Sequence, residues 1–172
     1  MKKVLLSLLV SLIAMSTFAA KPLKVLSGKA NCLKEFSSAI VVFDYSGTTW
    51  EGDESLQEYC GDDFEPRITR GYKTFVREFN VFSKGVKIIE EEEKADAIIR
   101  VIFDEFEQKQ GMSSWGRFYL RFYGTIEIIN RSTNEVVCKL EMDKLGGDAD
   151  YSQDDRFAKA YAALAKELAT VK

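Results

Sequence analysis

The chain of 172 residues contains no histidine. Without it, the Ser–His and Cys–His nucleophile pairs are excluded, along with the commonest metal ligand. There are three cysteines, Cys32, Cys60 and Cys138, and their spacing matches no zinc site. No Walker loop and no nucleotide-binding glycine fingerprint is present. Positive charge is not in excess either. The formal net charge is −3, so the footprint needed for sequence-independent nucleic-acid binding is missing. After the first twenty residues no apolar run is long enough to span a bilayer. Carboxylates are plentiful, with 27 Asp and Glu, but no two of them are singled out by position as an acid/base couple. The sequence therefore predicts no catalytic residue, no cofactor and no metal.

What the chain does have begins at its first residue. Lys2 and Lys3 precede an apolar run over 4–15, and Thr17-Phe18-Ala19-Ala20 follows with small residues suited to cleavage. This pattern is that of a secretory signal peptide. The alternative, an uncleaved anchor, is disfavoured by the short run and its flanks. Residues 1–20 are thus expected to be a signal peptide. Residues 21–172 are expected to form one exported domain, periplasmic or extracellular, with enough chain to bury a core. No cysteine follows the cleavage region, so no acylation site is expected. An oxidising compartment permits a disulfide. Cys138 falls on an apolar strand face and reads as a buried thiol. Cys32 and Cys60 lie in polar, loop-like surroundings and are the disulfide candidate, although spacing alone cannot establish a bridge.

The organising stretch is 117–142. Two apolar-periodic runs flank the polar pentad Asn130-Arg131-Ser132-Thr133-Asn134, which predicts a β-hairpin. Phe118, Leu120, Phe122, Ile126 and Ile128 share one face of the first arm. Val136, Cys138, Leu140 and Met142 alternate with polar residues and Val137 in the second. Period two fixes the register, because a slip by one residue would expose the whole apolar set.

Upstream, 39–45 reads as a buried strand and 47–63 as a long acidic loop. The spacing of Phe64, Ile68, Tyr72, Phe75, Val76, Phe79 and Phe82 predicts a helix over 64–84 with one aromatic stripe. Asp62 or Asp63 suits its cap, Pro66 its first turn and Gly85 its C-terminal stop. Gly71, inside the helix, marks close packing. A short strand over 86–90 and a long one over 95–107 follow. In the long strand Ala97, Ile99, Val101 and Phe103 fall on one face, with Ile98, Ile102 and Phe106 on the other. A last helix starts at the capping sequence Ser152-x-x-Asp155. The expected class is α+β: a two-layer α/β sandwich, with a mixed sheet of about five strands and two helices mainly on one face.

Two constellations bear on function. Asp148, Asp150, Ser152 and Asp154 have calcium-loop spacing but lack the sixth-position glycine, and Lys159 stands where the bidentate glutamate belongs. Helix capping accounts for the same residues. On the outward face of the first hairpin arm, Trp115, Arg117, Tyr119, Arg121 and Tyr123 alternate. Arginines interleaved with aromatic rings suit a partner protein or a glycan. The same residues also stabilise an ordinary sheet through cross-strand pairs.

The segments VLSGKANCLKEF and IVVFDYSGTTW, with the closing RFAKAYAALAKELATV, resemble small exported proteins of Bacteroidetes-type bacteria without an assigned activity. The matching positions are Asp44-Tyr45-Ser46, Arg156, Ala160-Tyr161 and Lys166. The strand and helix order resembles the amino-terminal domain of TolB and the lipoproteins that activate penicillin-binding proteins, although the lipid-anchor cysteine is absent. That resemblance implies an envelope adaptor. The expected function is a non-catalytic exported binding or scaffolding domain of the bacterial envelope. Its expected partner is an envelope protein or a glycan. The alternative is a glycan-acting enzyme using Asp or Glu.

Overall fold

A computed structural model describes residues 21–110, 117–148 and 150–171. The expected signal peptide over 1–20 lies outside the described residues.

The hairpin forms, and its first arm faces as the periodicity predicts; in the second arm a register shift leaves Val136 50% exposed and turns Val137 toward the core, which corrects the reading of Val136. Its arms are β7 (Phe118–Asn130) and β8 (Glu135–Gly146). Asn130 starts the turn between them: its Oδ1 accepts hydrogen bonds from the backbone N–H of Ser132 (2.9 Å) and from the Ser132 hydroxyl (2.8 Å). A short polar side chain that satisfies the backbone locally is what favours asparagine at a turn. The other strands are β1 (Leu23–Gly28), β2 (Ser38–Asp44), β3 (Thr49–Trp50), β4 (Glu54–Ser55), β5 (Lys87–Ile88) and β6 (Ala97–Gln110). The helices are α1 (Leu56–Cys60), α2 (Phe64–Phe82) and α3 (Gln153–Ala169).

The sheet is mixed, with strand order β1-β8-β7-β6-β2-β5; β3 pairs with β4 and with β6. β2 runs parallel to both β5 and β6, whereas the β6–β7, β7–β8 and β1–β8 pairs are antiparallel. Among the described residues the sheet has eight strands rather than about five. β1 lies along the outer edge of β8. β3 and β4 come from the stretch read as a loop over 47–63. That stretch is ordered by buried Trp50, Leu56 and Cys60 and by a capping box in which Ser55 and Glu58 exchange hydrogen bonds at the start of α1.

The core lies between the two long helices and one face of the sheet. Phe43 of β2 packs edge-on against Phe75 of α2, with ring centroids 5.2 Å apart. Phe103 of β6 and Phe122 of β7 both meet Tyr161 of α3, at 5.9 and 5.0 Å. Such edge-to-face contacts suit the aromatic quadrupole. Where α2 crosses α3, the Tyr161 ring fills the space beside Gly71, so a Cβ at that position would lie 2.4 Å from it. The Tyr161 hydroxyl hydrogen-bonds that of Tyr45 at 2.6 Å. α2 ends at Phe82 with Ser83 as its C-cap, two residues short of the expected end, and Asp63 makes no side-chain cap bond. Asp63 pairs instead with Arg67, at 2.8 Å.

The placement of Phe106 departs from strict alternation. The β6–β7 register shifts between Phe103 and Glu105. A β-bulge adds one residue to a strand and reverses the faces beyond it. Ala97, Ile99, Val101 and Phe103 point to the helices, and past the bulge Phe106 does too, fully buried against Phe122 and Phe157. The reading that put Phe106 with Ile98 and Ile102 is thereby corrected. The opposite face is accordingly less apolar than strict alternation implied.

Candidate functional site

On that opposite face, β7 presents Tyr119, Arg121 and Tyr123 between its core residues Leu120 and Phe122. Their register partners on β6 are Lys109, Glu107 and Glu105 respectively. Arg121 lies over the Tyr119 ring, 4.9 Å from its centroid, and donates to the Tyr119 hydroxyl at 3.0 Å. The Tyr123 hydroxyl donates to Glu107 Oε2 at 2.8 Å. Lys109 reaches the other Glu107 oxygen at 2.6 Å, and Arg121 approaches Glu107 at 3.7 Å. Burial pushes the Glu107 carboxyl up, but the bonds from Lys109 and Tyr123 and the nearby cations outweigh it, and the net shift is downward. The Tyr123 hydroxyl is pushed up to about 12, first by burial and then by its bond to Glu107. Glu107 is therefore an ionised hub holding three cation or hydroxyl partners.

Arg117 is exposed, and its guanidinium sits 4.9 Å from the centroid of the Tyr151 ring, itself 62% exposed. The sequence reading did not include Tyr151. It sits between Asp150 and the helix cap Ser152, and a lone aromatic there had no periodicity to mark it. Trp115 lies outside the described residues. The structure thus gathers Tyr119, Arg121 and Tyr123 in one row and sets Arg117 with Tyr151 at the row's end. The 47–63 stretch reaches β6 nearby: Glu51 N–H donates to the Phe106 carbonyl at 2.9 Å, and Glu51 Oε1 accepts from Gln108 N–H at 3.3 Å.

The rest of this face is laced with ion pairs. Arg100 bonds Asp44 at 2.6 Å and Lys139 approaches Glu127 at 3.3 Å, with Ile98 and Ile102 half-buried in the same face. The Asp44 carboxyl is held down at about 2, by the Ser46 hydroxyl first and then by Arg100. The calcium-like residues have other partners. Asp150 bonds Lys159 at 2.7 Å, Asp154 bonds Arg67 at 3.0 Å, and the Ser152 hydroxyl accepts from Asp155 N–H. Among the described residues no cluster of three metal-ligating side chains occurs. Arg156 is buried over the Phe118 ring at 5.4 Å.

At the far end of the domain a groove of about 660 Å³ lies between the 3-10 turn Cys32–Glu35, the end of α2 and the end of α3. Leu33, Phe82, Val86 and Leu168 line it, with Lys34 and Lys84 also at its walls.

The cysteines are arranged differently from the expected pair. All three are buried and free. Cys32 neighbours Cys138, whereas Cys60 sits beside Arg67. Both members of the Cys32–Cys60 candidate are thus buried, rather than set in the polar, loop-like surroundings that their neighbours in the sequence suggested.

No protein-family model matches the chain, and no curated protein matches it. Among solved structures the chain is similar to the PelC dodecamer from Paraburkholderia phytofirmans, at 16% identity and a TM-score of 0.48. It is also similar to a single-residue variant of that dodecamer in another crystal form, at 17% identity and a TM-score of 0.43. Both alignments cover 87% of this chain and 98% of the other.

Proposed function

We propose that this is a non-catalytic binding or scaffolding domain, exported to the bacterial envelope, which docks an envelope protein or a glycan on the β7 row. The observation that carries this reading is the set of guanidinium–ring stacks. Arg117 over Tyr151 and Arg121 over Tyr119 present aromatic and cationic groups side by side at one end of an open sheet face. Tyr and Arg are the residue types that dominate binding energy at interfaces, and stacking fixes their orientation before a partner arrives. The electrostatics support binding over glycan hydrolysis. A glycosidase needs a carboxyl held protonated to act as acid, and among the described residues every carboxyl with a resolved shift moves downward. Export rests on the charged, apolar and small-residue sequence of 1–20. Among the described residues no helix is long and apolar enough to cross a membrane.

The test uses sedimentation with insoluble peptidoglycan, soluble glycan mixtures and immobilised envelope extract. Saturable retention without release of new reducing ends is the expected result. Turnover would establish the glycan-acting alternative. The variant Arg117→Glu with Tyr151→Ala alters the pair least engaged in the sheet. It should abolish retention while the melting midpoint moves by no more than a few degrees, as for surface changes. Unchanged retention would remove the β7 row as the docking surface. Light scattering on the same samples gives the oligomeric state.

A further inference from the structure

We propose that Cys32 and Cys138 form a disulfide when the chain meets an oxidising compartment, and that this bridge staples the β1 end of the domain to the hairpin. The backbone sets the geometry. β1 pairs with β8 in a register that places Gly28 opposite Cys138. The chain then turns back, with Cys32 N–H donating to the Lys29 carbonyl at 3.0 Å. Cys32 therefore returns over the strand residue that its own segment has just paired with. Cys32 is 4% exposed and Cys138 1%, and the two thiols are neighbours in the core. Disulfides need α-carbons within about 7 Å and converging side chains, and a turn that folds Cys32 back toward Gly28, the register partner of Cys138, suits that need. Cys60 has no such partner; its neighbours are Arg67 and Asp63.

The reaction is thiol–disulfide exchange with an envelope protein disulfide as oxidant. A thiolate attacks that disulfide and gives a mixed disulfide. The second thiolate then displaces the oxidant's sulfur. One S–S bond forms here, one is reduced to two thiols there, and two electrons pass to the oxidant with two protons. Timing follows from burial. In the folded domain the Cys32 thiol is pushed up to about 12, by burial first and then by Cys138, so the reactive thiolate is scarce once the turn has closed. Oxidation therefore belongs to the folding chain, before the turn packs down.

The bridge has a second effect. Asn31, Leu33 and Lys34, on either side of Cys32, form one wall of the 660 Å³ groove. Tying Cys32 to β8 fixes that wall against the ends of α2 and α3.

The proposal rests on the export reading for its setting, but the bond itself is testable without it. The full chain is refolded in a glutathione buffer poised to oxidise, unfolded without reduction, alkylated and mapped by mass. The expected product joins Cys32 to Cys138 and leaves Cys60 alkylated. Its melting midpoint should exceed that of the reduced protein by more than about 5 °C. The difference should persist in Cys60→Ser and vanish in Cys138→Ala. Three alkylated cysteines after refolding, or a bridge through Cys60, overturns the proposal. Chain recovered from cells is mapped in parallel. Free thiols in cells with a bridge in vitro would uphold the geometry and sink export instead.

Discussion

Gly71 shows how one missing side chain positions a helix pair. Its place in the middle of α2 costs about 1 kcal/mol relative to alanine, and the sequence alone suggested that packing was the reason. The structure supplies the partner, the Tyr161 ring, at 2.4 Å from where a Cβ would stand. Gly71→Ala should therefore destabilise by about 1–3 kcal/mol in urea unfolding, because the overpacking outweighs the gain in helix propensity. A neutral or stabilising result would mean that α3 shifts freely. Asp44 offers a test of sign. Its folded carboxyl is held down to about 2, below the ordinary carboxylate range, by the Ser46 hydroxyl and Arg100. The stability it contributes is thus fully present above about pH 4 and is lost as the pH falls toward 2. Asp44→Asn should cost about 1 kcal/mol at pH 7, since its Arg100 partner is partly exposed, and clearly less at pH 2. Paired denaturation curves at the two pH values check this. None of Asp44's partners was legible in the sequence. The Asp-Tyr-Ser tripeptide was noticed only as a resemblance, whereas the Tyr45–Tyr161 hydroxyl bond now physically joins the two ends of the chain that carried it.

At the scale of elements, periodicity gave the hairpin, the α2 stripe and the first half of β6, because each is a regular repeat read against one buried face. It failed where one residue is added. Asp104 and Glu105 are the only trace of the β6 bulge, and two acidic residues in a strand look the same with or without a register shift. The consequence is measurable. Phe106→Ala should cost about 3–5 kcal/mol, as for a fully buried ring, and Ile98→Ala less than about 2 kcal/mol, since its side lies on the half-open face. Equal losses would restore the unbulged alternation. The 47–63 stretch was misread for a different reason. Its buried apolar residues, Trp50, Leu56 and Cys60, are too few and too far apart to show a period. Yet Ser55-x-x-Glu58 was a capping signature open to view, and it marks the start of α1.

For the whole molecule, the amino-terminal ends of the two long helices are held together by arginines of α2. Arg67 bonds Asp63 at 2.8 Å and Asp154 at 3.0 Å, lies 5.8 Å from the Phe157 ring centroid and is only 11% exposed at its side chain; Arg70 reaches Asp155. Arg67→Ala should cost about 1–3 kcal/mol, through lost charge-assisted bonds and lost packing of the stem. Most of that cost should survive in 1 M salt, because a shielded pair is screened weakly. A cost that disappears with salt would mean that the contact is a surface ion pair only. This clamp was beyond reach of the sequence, because its halves lie 87 residues apart and no local pattern links them.

β1 borders β8, with Leu23 opposite Met142. The earliest described strand thus waits for nearly the last before it has any neighbour. While the chain emerges amino end first, β2 can pair with β5 and β6 as they appear, but β1 finds no partner until the second hairpin arm has emerged. Assembly governed by such distant partners is slow. During that wait the unpaired edge of β1, with Val25 and Leu26, is open to the wrong neighbour. A chaperone that shields this first strand would therefore act on the productive yield of this domain rather than on its final stability.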